Sequence, residues 1–216
     1  MTQNLLSPLA LIGMSGAGKS YWSHKLETLG YQRIGCDDRI AERLQAQLDA
    51  SGSSTRRMAD WMGLPFDPGY AEAERQYMDC EVAVTEELCE HLEHTPAEQP
   101  VVIDTTGSVV YVGDALLRRL KSLATLVYLS TPPESSEQLY ETFLNDPKPM
   151  IWQGRFSPRA GESNEATLAR NLLELLESRR RDYSALADRH LDSQTLRRPG
   201  LEAQDFLRLL SAQAPM

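Results

Sequence analysis

The most specific chemistry in the chain lies at residues 13–20. Gly13, Met14, Ser15, Gly16, Ala17, Gly18, Lys19 and Ser20 fit the pattern G-x-x-x-x-G-K-[S/T] at every fixed position. Glycines at both ends of such a segment let the main chain turn tightly, so that successive backbone N–H groups face inward and cradle a polyphosphate. The positive end of the helix that follows adds to the attraction. In this arrangement Lys19 reaches the β- and γ-phosphates and the Ser20 hydroxyl binds Mg²⁺, with Tyr21 next to them in the chain. The expected ligand is a nucleoside triphosphate, ATP with Mg²⁺ before others.

Phosphoryl transfer needs placement and charge neutralisation more than covalent chemistry, so the helpers should be few. Asp37 follows the second strand-like run and opens a helix. It is either a helix cap or an acceptor-site residue, and the rule that ligands bind at the carboxyl ends of parallel strands favours the second. Asp104 ends the run Val-Val-Ile-Asp, where a Mg²⁺-organising acid or a simple turn residue would stand. Arg179, Arg180 and Arg181 are consecutive on a helical pattern. They point about 100° apart, so no more than one or two can face a site. Arg155 and Arg159 lie in a Pro/Gly-rich stretch and could close over the γ-phosphate. His24, His91, His94 and His190 show no metal or triad spacing, and Trp22, Trp61 and Trp152 read as packing residues.

These groups need a scaffold. Strand-like runs at residues 9–12, 31–34, 101–104 and 126–129, with a weaker one at 189–191, are short, apolar and bounded by turn residues. Helical patterns at 19–29, 37–48, 70–92, 112–123, 133–144, 165–187 and 201–212 lie between them. The alternation predicts an α/β domain of three layers with a parallel sheet. Residues 50–54 (ASGSS) break a helix, 64–69 (LPFDPG) form a turn, and the long irregular stretch 145–164 reads as a lid.

The 216 residues suit one domain. Apolar residues at 41% and charged residues at 25% exclude wholesale disorder. A net charge of −9 argues against nucleic acid and anionic membrane as partners. No apolar run reaches membrane length. Cys36, Cys80 and Cys89 form no Cys-x-x-Cys pair and read as reduced thiols, so a cytoplasmic protein is expected, as a monomer or weak homodimer.

Further segments fall in a recognisable order: Gly35-Cys-Asp-Asp38, Tyr70-Ala-Glu-Ala-Glu74, Asp104-Thr-Thr-Gly-Ser108, Lys148-Pro-Met-Ile151 and Arg179-Arg-Arg-Asp-Tyr183. With the phosphate loop they make the chain resemble shikimate kinase, a small P-loop kinase, from about residue 9 to residue 199. The resemblance implies one kinase domain over 1–216, with a helical acceptor-binding insert at about 37–92 and a lid at about 145–164. It implies ATP-dependent phosphorylation of a hydroxyl on a small molecule. Asp37 would be the candidate base, Gly107 would lie beneath the acceptor, and Arg179 would grip a carboxylate. Lys148 would reach the transferring phosphate and Pro199 would cover the adenine.

The departures are local. Gly35 stands where the family has an aspartate that helps hold Mg²⁺, so Asp104 would take over. Ala71 replaces an arginine clamp, for which Arg56 or Arg57 could substitute. Thr106-Gly107-Ser108 replaces a triple glycine. The expected acceptor is therefore a hydroxyl of a small metabolite, either shikimate or a different one. The rival expectation is a non-catalytic ATP-binding module that kept the phosphate loop and lost its acceptor.

Overall fold

The computed structural model describes residues 8–48, 52–96, 98–132, 145 and 148–212. Within them five parallel strands form one sheet: β1 (Leu9–Ile12), β2 (Gln32–Gly35), β3 (Val101–Asp104), β4 (Thr125–Ser130) and β5 (Arg189–Asp192), in the order β2-β3-β1-β4-β5. The β1 to β2 connection passes over β3, and the β3 to β4 connection passes over β1. That opens a crevice at the carboxyl ends of the central strands.

Side-chain alternation divides the core in two. Leu9, Leu11, Val102, Val127 and Leu129 face one side, with Trp22, Leu26, Phe206 and Leu210. Ala10, Ile12, Val101, Ile103, Leu126 and Tyr128 face the other, with Leu88, Leu120, Leu172 and Tyr183. A central parallel strand buried on both faces must be apolar at every position, as β1 is. The first side carries α1 (Lys19–Glu27) and, near the C-terminus, the helix Ala203–Ser211. The second carries the long α4 (Tyr70–His94), α5 (Asp114–Leu123) and α6 (Asn164–Leu186). Between β2 and α4 lie two short helices, α2 (Cys36–Arg43) and α3 (Ser54–Met62). A four-residue helix, α7 (Ser193–Leu196), follows β5 and makes Ala203–Ser211 α8.

Three expectations are corrected. Residues 37–48 do not form one helix: α2 ends at Arg43, because the exposed Gln-Ala-Gln after the buried Leu44 offers no apolar face. Of the run 50–54, residues 52–54 are described, and they lead into a helix. The Ser53 side chain accepts the Arg56 N–H and caps α3, which the sequence reading left out. The helix expected at 112–123 begins only at Asp114, after Gly113 turns with φ +99°. The helix expected at 133–144 lies outside the described residues, as do parts of the stretch 145–164.

Candidate active site

The phosphate loop follows β1, as the sequence requires. Gly13 has φ +141°, and a β-carbon there would lie 2.8 Å from the Leu129 carbonyl oxygen, so only glycine lets the loop pass this close to β4. Gly18, at φ +98°, starts α1 with its N–H groups directed back along the loop. Lys19 folds over this turn, and its ammonium donates to the carbonyls of Gly13 at 2.8 Å and Met14 at 3.1 Å. Burial lowers the Lys19 pKa, while Asp104 and Asp37 pull it back up. A cation held among backbone amides at a helix start, with acids at a distance, fits a bound polyphosphate.

Beside the loop lies a cavity of about 190 Å³. Met14, Ser15 and Gly16 of the phosphate loop border it, together with Asp37, Gly107, Lys148 and Arg179. Residues from five separate stretches, singled out on sequence grounds, thus face one space. Apolar side chains of Met150, Leu172 and Leu176 form much of the remaining wall, with Pro149, Thr55 and Tyr77.

Asp37 stands at the start of α2, accepting a hydrogen bond from Tyr77 Oη at 3.3 Å. Withdrawal from solvent raises its carboxyl to about 6, against the pull of Lys19, and Asp104 adds to the rise. Arg179 is buried at 4% exposure. Its guanidinium stacks 5.2 Å above the Tyr111 ring and donates to Tyr111 Oη, Met150 Sδ and, at 2.7 Å, the Ile151 carbonyl. None of these partners is a carboxylate. Arg180 instead bonds the Thr131 carbonyl and Glu177, and Arg181 is exposed.

Asp104 lies below the cavity rather than on its lining. Arg33 donates to its Oδ2 at 3.0 Å and to Ser23 Oγ at 3.0 Å, and Ser23 in turn donates to the Ser20 carbonyl. Ser20 and Asp104 therefore flank Ser23 at the loop's end. The link from Ser20 to Asp104 runs through the Ser20 main-chain carbonyl and Ser23, and Arg33 holds one carboxylate oxygen of Asp104. Arg33 escaped the sequence reading. Its signal was a charged residue inside a strand of a parallel sheet.

Tyr21 and Pro199 do not line the cavity. Tyr21 is 56% exposed on the outer face of α1. Pro199 is exposed in the turn after α7, which is tied to the phosphate loop by Arg197 donating to the Gly16 carbonyl at 2.7 Å. Arg56 pairs with Asp60, and neither Arg56 nor Arg57 borders the cavity; their neighbour Thr55 does. Arg155 sits 5.8 Å from the Tyr111 ring. Within the stretch expected as a lid, residues 150–153 are tied to α4. Glu74 accepts N–H groups of Trp152 and Gln153, and Tyr70 donates to the Met150 carbonyl. Trp152 is buried at 1%. Trp22 is buried too and stacks on Phe206, in keeping with a packing role.

Tyr70, Glu74, Tyr77 and Glu81 are spaced 4, 3 and 4 apart, along one face of α4. Polar groups at helical spacing among buried residues were the available signal for Tyr77 and Glu81, which the sequence reading missed. Burial raises the Glu81 carboxyl to about 7, and hydrogen bonds from Ser108 and Thr106 oppose the rise.

Neither a scan against protein-family models nor a search of curated proteins matches this sequence. Solved structures do match. Shikimate kinase from Acinetobacter baumannii, in complex with shikimate, aligns with a TM-score of 0.60 at 22% identity, over 97% of this chain and 95% of that one. Shikimate kinase from Bacteroides thetaiotaomicron gives 0.57 at 16% identity, over 94% and 95%. The enzyme from Aquifex aeolicus gives 0.53 at 20%, over 94% and 95%. A five-stranded parallel sheet, its flanking helices and the loop between β1 and α1 thus recur over nearly the whole length, and the chain has the α/β P-loop kinase fold of shikimate kinase.

Proposed function

We propose that this protein is an ATP-dependent kinase that transfers a phosphoryl group to a hydroxyl of a small molecule. The observation that carries the reading is the single cavity in which phosphate-loop backbone meets Asp37, Gly107, Lys148 and Arg179. The loop amides and Lys19 would hold the β- and γ-phosphates. Lys19 would exchange its two loop carbonyls for phosphate oxygens. Bound Mg²⁺, held through Ser20 with Asp104 behind it, would neutralise charge on those phosphates. Asp37 would orient the acceptor hydroxyl and take its proton, and Lys148 and Arg179 would face the transferring group and the acceptor. The turn bearing Pro199 would lie against the adenine, and the insert at 37–92 would form the acceptor's wall. The exposed arc 157–161 would close as a lid and exclude water.

The wall also restricts the acceptor. Met150, Leu172 and Leu176 give the cavity that Asp37 lines an apolar flank. Ala71, where the resemblance leads one to expect a second arginine, is exposed and outside the cavity lining. A hydroxyl compound with one apolar side fits this wall better than a molecule ringed with hydroxyls, whose unpaired polar groups would be costly there.

Calorimetry with Mg·ATP, followed by a screen of hydroxyl acceptors for ADP release, tests the reading. Lys19→Ala should lower turnover at least about 100-fold while circular dichroism and the melting midpoint are kept. Turnover retained in that variant would reject the site. Nucleotide uptake with no acceptor-stimulated ADP release would leave the non-catalytic binding module instead.

A further inference from the structure

Asp37 is held at its backbone and at its side chain by different parts of the fold. Its backbone opens α2, and the next residue fixes that turn. Asp38 Oδ1 accepts from Ser54 Oγ of α3 at 2.9 Å, and Asp38 Oδ2 lies 3.6 Å from the Arg33 guanidinium of β2. Gly35 makes room for this, since a β-carbon there would lie 2.7 Å from Asp38 Oδ2. The Asp37 carboxyl has one hydrogen-bond donor among the described residues, the Tyr77 hydroxyl, which donates to Oδ1 at 3.3 Å.

Tyr77 stands on α4 at 2% exposure, with its ring in the larger apolar layer, and it borders the cavity together with Asp37. A phenylalanine would fill that layer as well, and a buried hydroxyl is costly unless it is bonded. The hydroxyl is therefore explained by what it holds. A phenol has one hydrogen to give. Given to Oδ1, it favours the ionised carboxyl and restrains its rotation, and it leaves Oδ2 without a hydrogen-bond partner among the described residues. The bond is long for O–H···O, as catalytic contacts commonly are before a substrate is in place.

We propose that Tyr77 is the positioning residue of the base: it holds Oδ1 of Asp37, so that Oδ2 is the oxygen that takes the acceptor's proton. The proposal rests on the reading of Asp37 as the base. The acceptor oxygen bonds to the γ-phosphorus, the bridging bond breaks with its electron pair leaving on ADP, and the acceptor's proton goes to Oδ2. Burial holds the Tyr77 hydroxyl well above the ordinary phenol range, so it keeps its own proton and donates throughout. Burial also pushes the Asp37 carboxyl up, and the bond from Tyr77 opposes that rise. The same hydroxyl thus aims the base and keeps more of it ionised near neutral pH.

The test is Tyr77→Phe in the whole protein, which keeps the ring and removes one oxygen. The charged and titratable groups around Asp37 stay as they are: Lys19, Cys36, Asp38, Glu81 and Asp104, with Lys148 and Arg179 on the same cavity. A change in the Asp37 titration therefore reads the hydroxyl alone. With ¹³C-labelled Asp carboxyls observed by NMR, the Asp37 midpoint should rise by about half to one pH unit. In the parent protein the hydroxyl-bearing ring carbon of Tyr77 should shift with the same midpoint as Asp37 and lose that step in Asp37→Asn, a measurement that stands even where Tyr77→Phe does not fold. An unmoved Asp37 midpoint in folded Tyr77→Phe, or a Tyr77 signal that stays flat while Asp37 titrates, would overturn the assignment. Neither measurement needs nucleotide or acceptor, so failure here is distinct from failure of the kinase reading. With a hydroxyl compound that stimulates ADP release in the parent, Tyr77→Phe should lower kcat about tenfold at pH 8, where Asp37 is largely ionised in both, and keep the KM for Mg·ATP within about twofold. An unchanged kcat would overturn the positioning role. Unaltered turnover in Asp37→Asn would overturn Asp37 as base, and the role of Tyr77 with it.

Discussion

Asp37 is partly buried where it lines the cavity, and its carboxyl is raised to about 6 from an ordinary 3.8. Two pH effects follow. As a base it must be ionised, so transfer should fall roughly tenfold per pH unit below about 6, in a profile of kcat/KM. For stability the sign is the reverse of the usual aspartate. The folded chain binds the proton more tightly than the unfolded one, so stability declines as pH rises from about 3.8 to about 6. Asp37→Asn is therefore expected to stabilise the protein at pH 8, on the order of 2 kcal/mol, and to have no effect at pH 3. Thermal melts at the two pH values check this; equal shifts at both would show that Asp37 is not held away from its ordinary titration. At this scale the turn at residues 13–20 was legible, because its shape depends on glycines at fixed spacing before a helix. Tyr77 and Glu81 were not, because their partners come from distant segments, Asp37 for the one and Thr106 and Ser108 for the other.

Among the elements, α4 does more than cover the sheet. Through Glu74 and Tyr70 it holds the base of the stretch that carries Lys148 and Met150 into the cavity. Glu74→Ala would leave the Trp152 and Gln153 N–H groups without that acceptor, at about 1–3 kcal/mol for a buried donor. The expected result is faster amide exchange at 152–153 with α1 unchanged. Uniform protection in the variant would argue that the packing of Trp152 alone anchors the segment. The strands were legible because apolar runs of four residues bounded by Gly and Pro have few other uses. The weak run at 189–191 is a true strand because β4 offers it a parallel partner, a fact of pairing rather than composition. Helix α3 was hidden since its cap, Ser53, sits in a cluster of small residues that equally suits a turn.

At the scale of the whole molecule, the sheet separates two apolar layers of unequal size. The smaller is closed by α8, whose Phe206 is fully buried and stacks 5.1 Å from Trp22. Phe206→Ala should cost about 3–5 kcal/mol, read from the urea midpoint. A loss below about 1 kcal/mol would mean that α8 is not part of the cooperative unit. The site is built on the larger layer, yet the phosphate loop touches both. Gly18 lies against the indole edge of Trp22, since a β-carbon there would sit 3.6 Å from its Cδ1. That neighbourhood gives the protein an optical gauge of its own loop. On the proposed binding, phosphates would draw Lys19 away from its carbonyls and shift the first turn of α1, and the emission of the buried indole should change as nucleotide is added. In a Trp22→Phe variant the shift should vanish while calorimetric uptake remains, so that signal from Trp61 or Trp152 can be told apart.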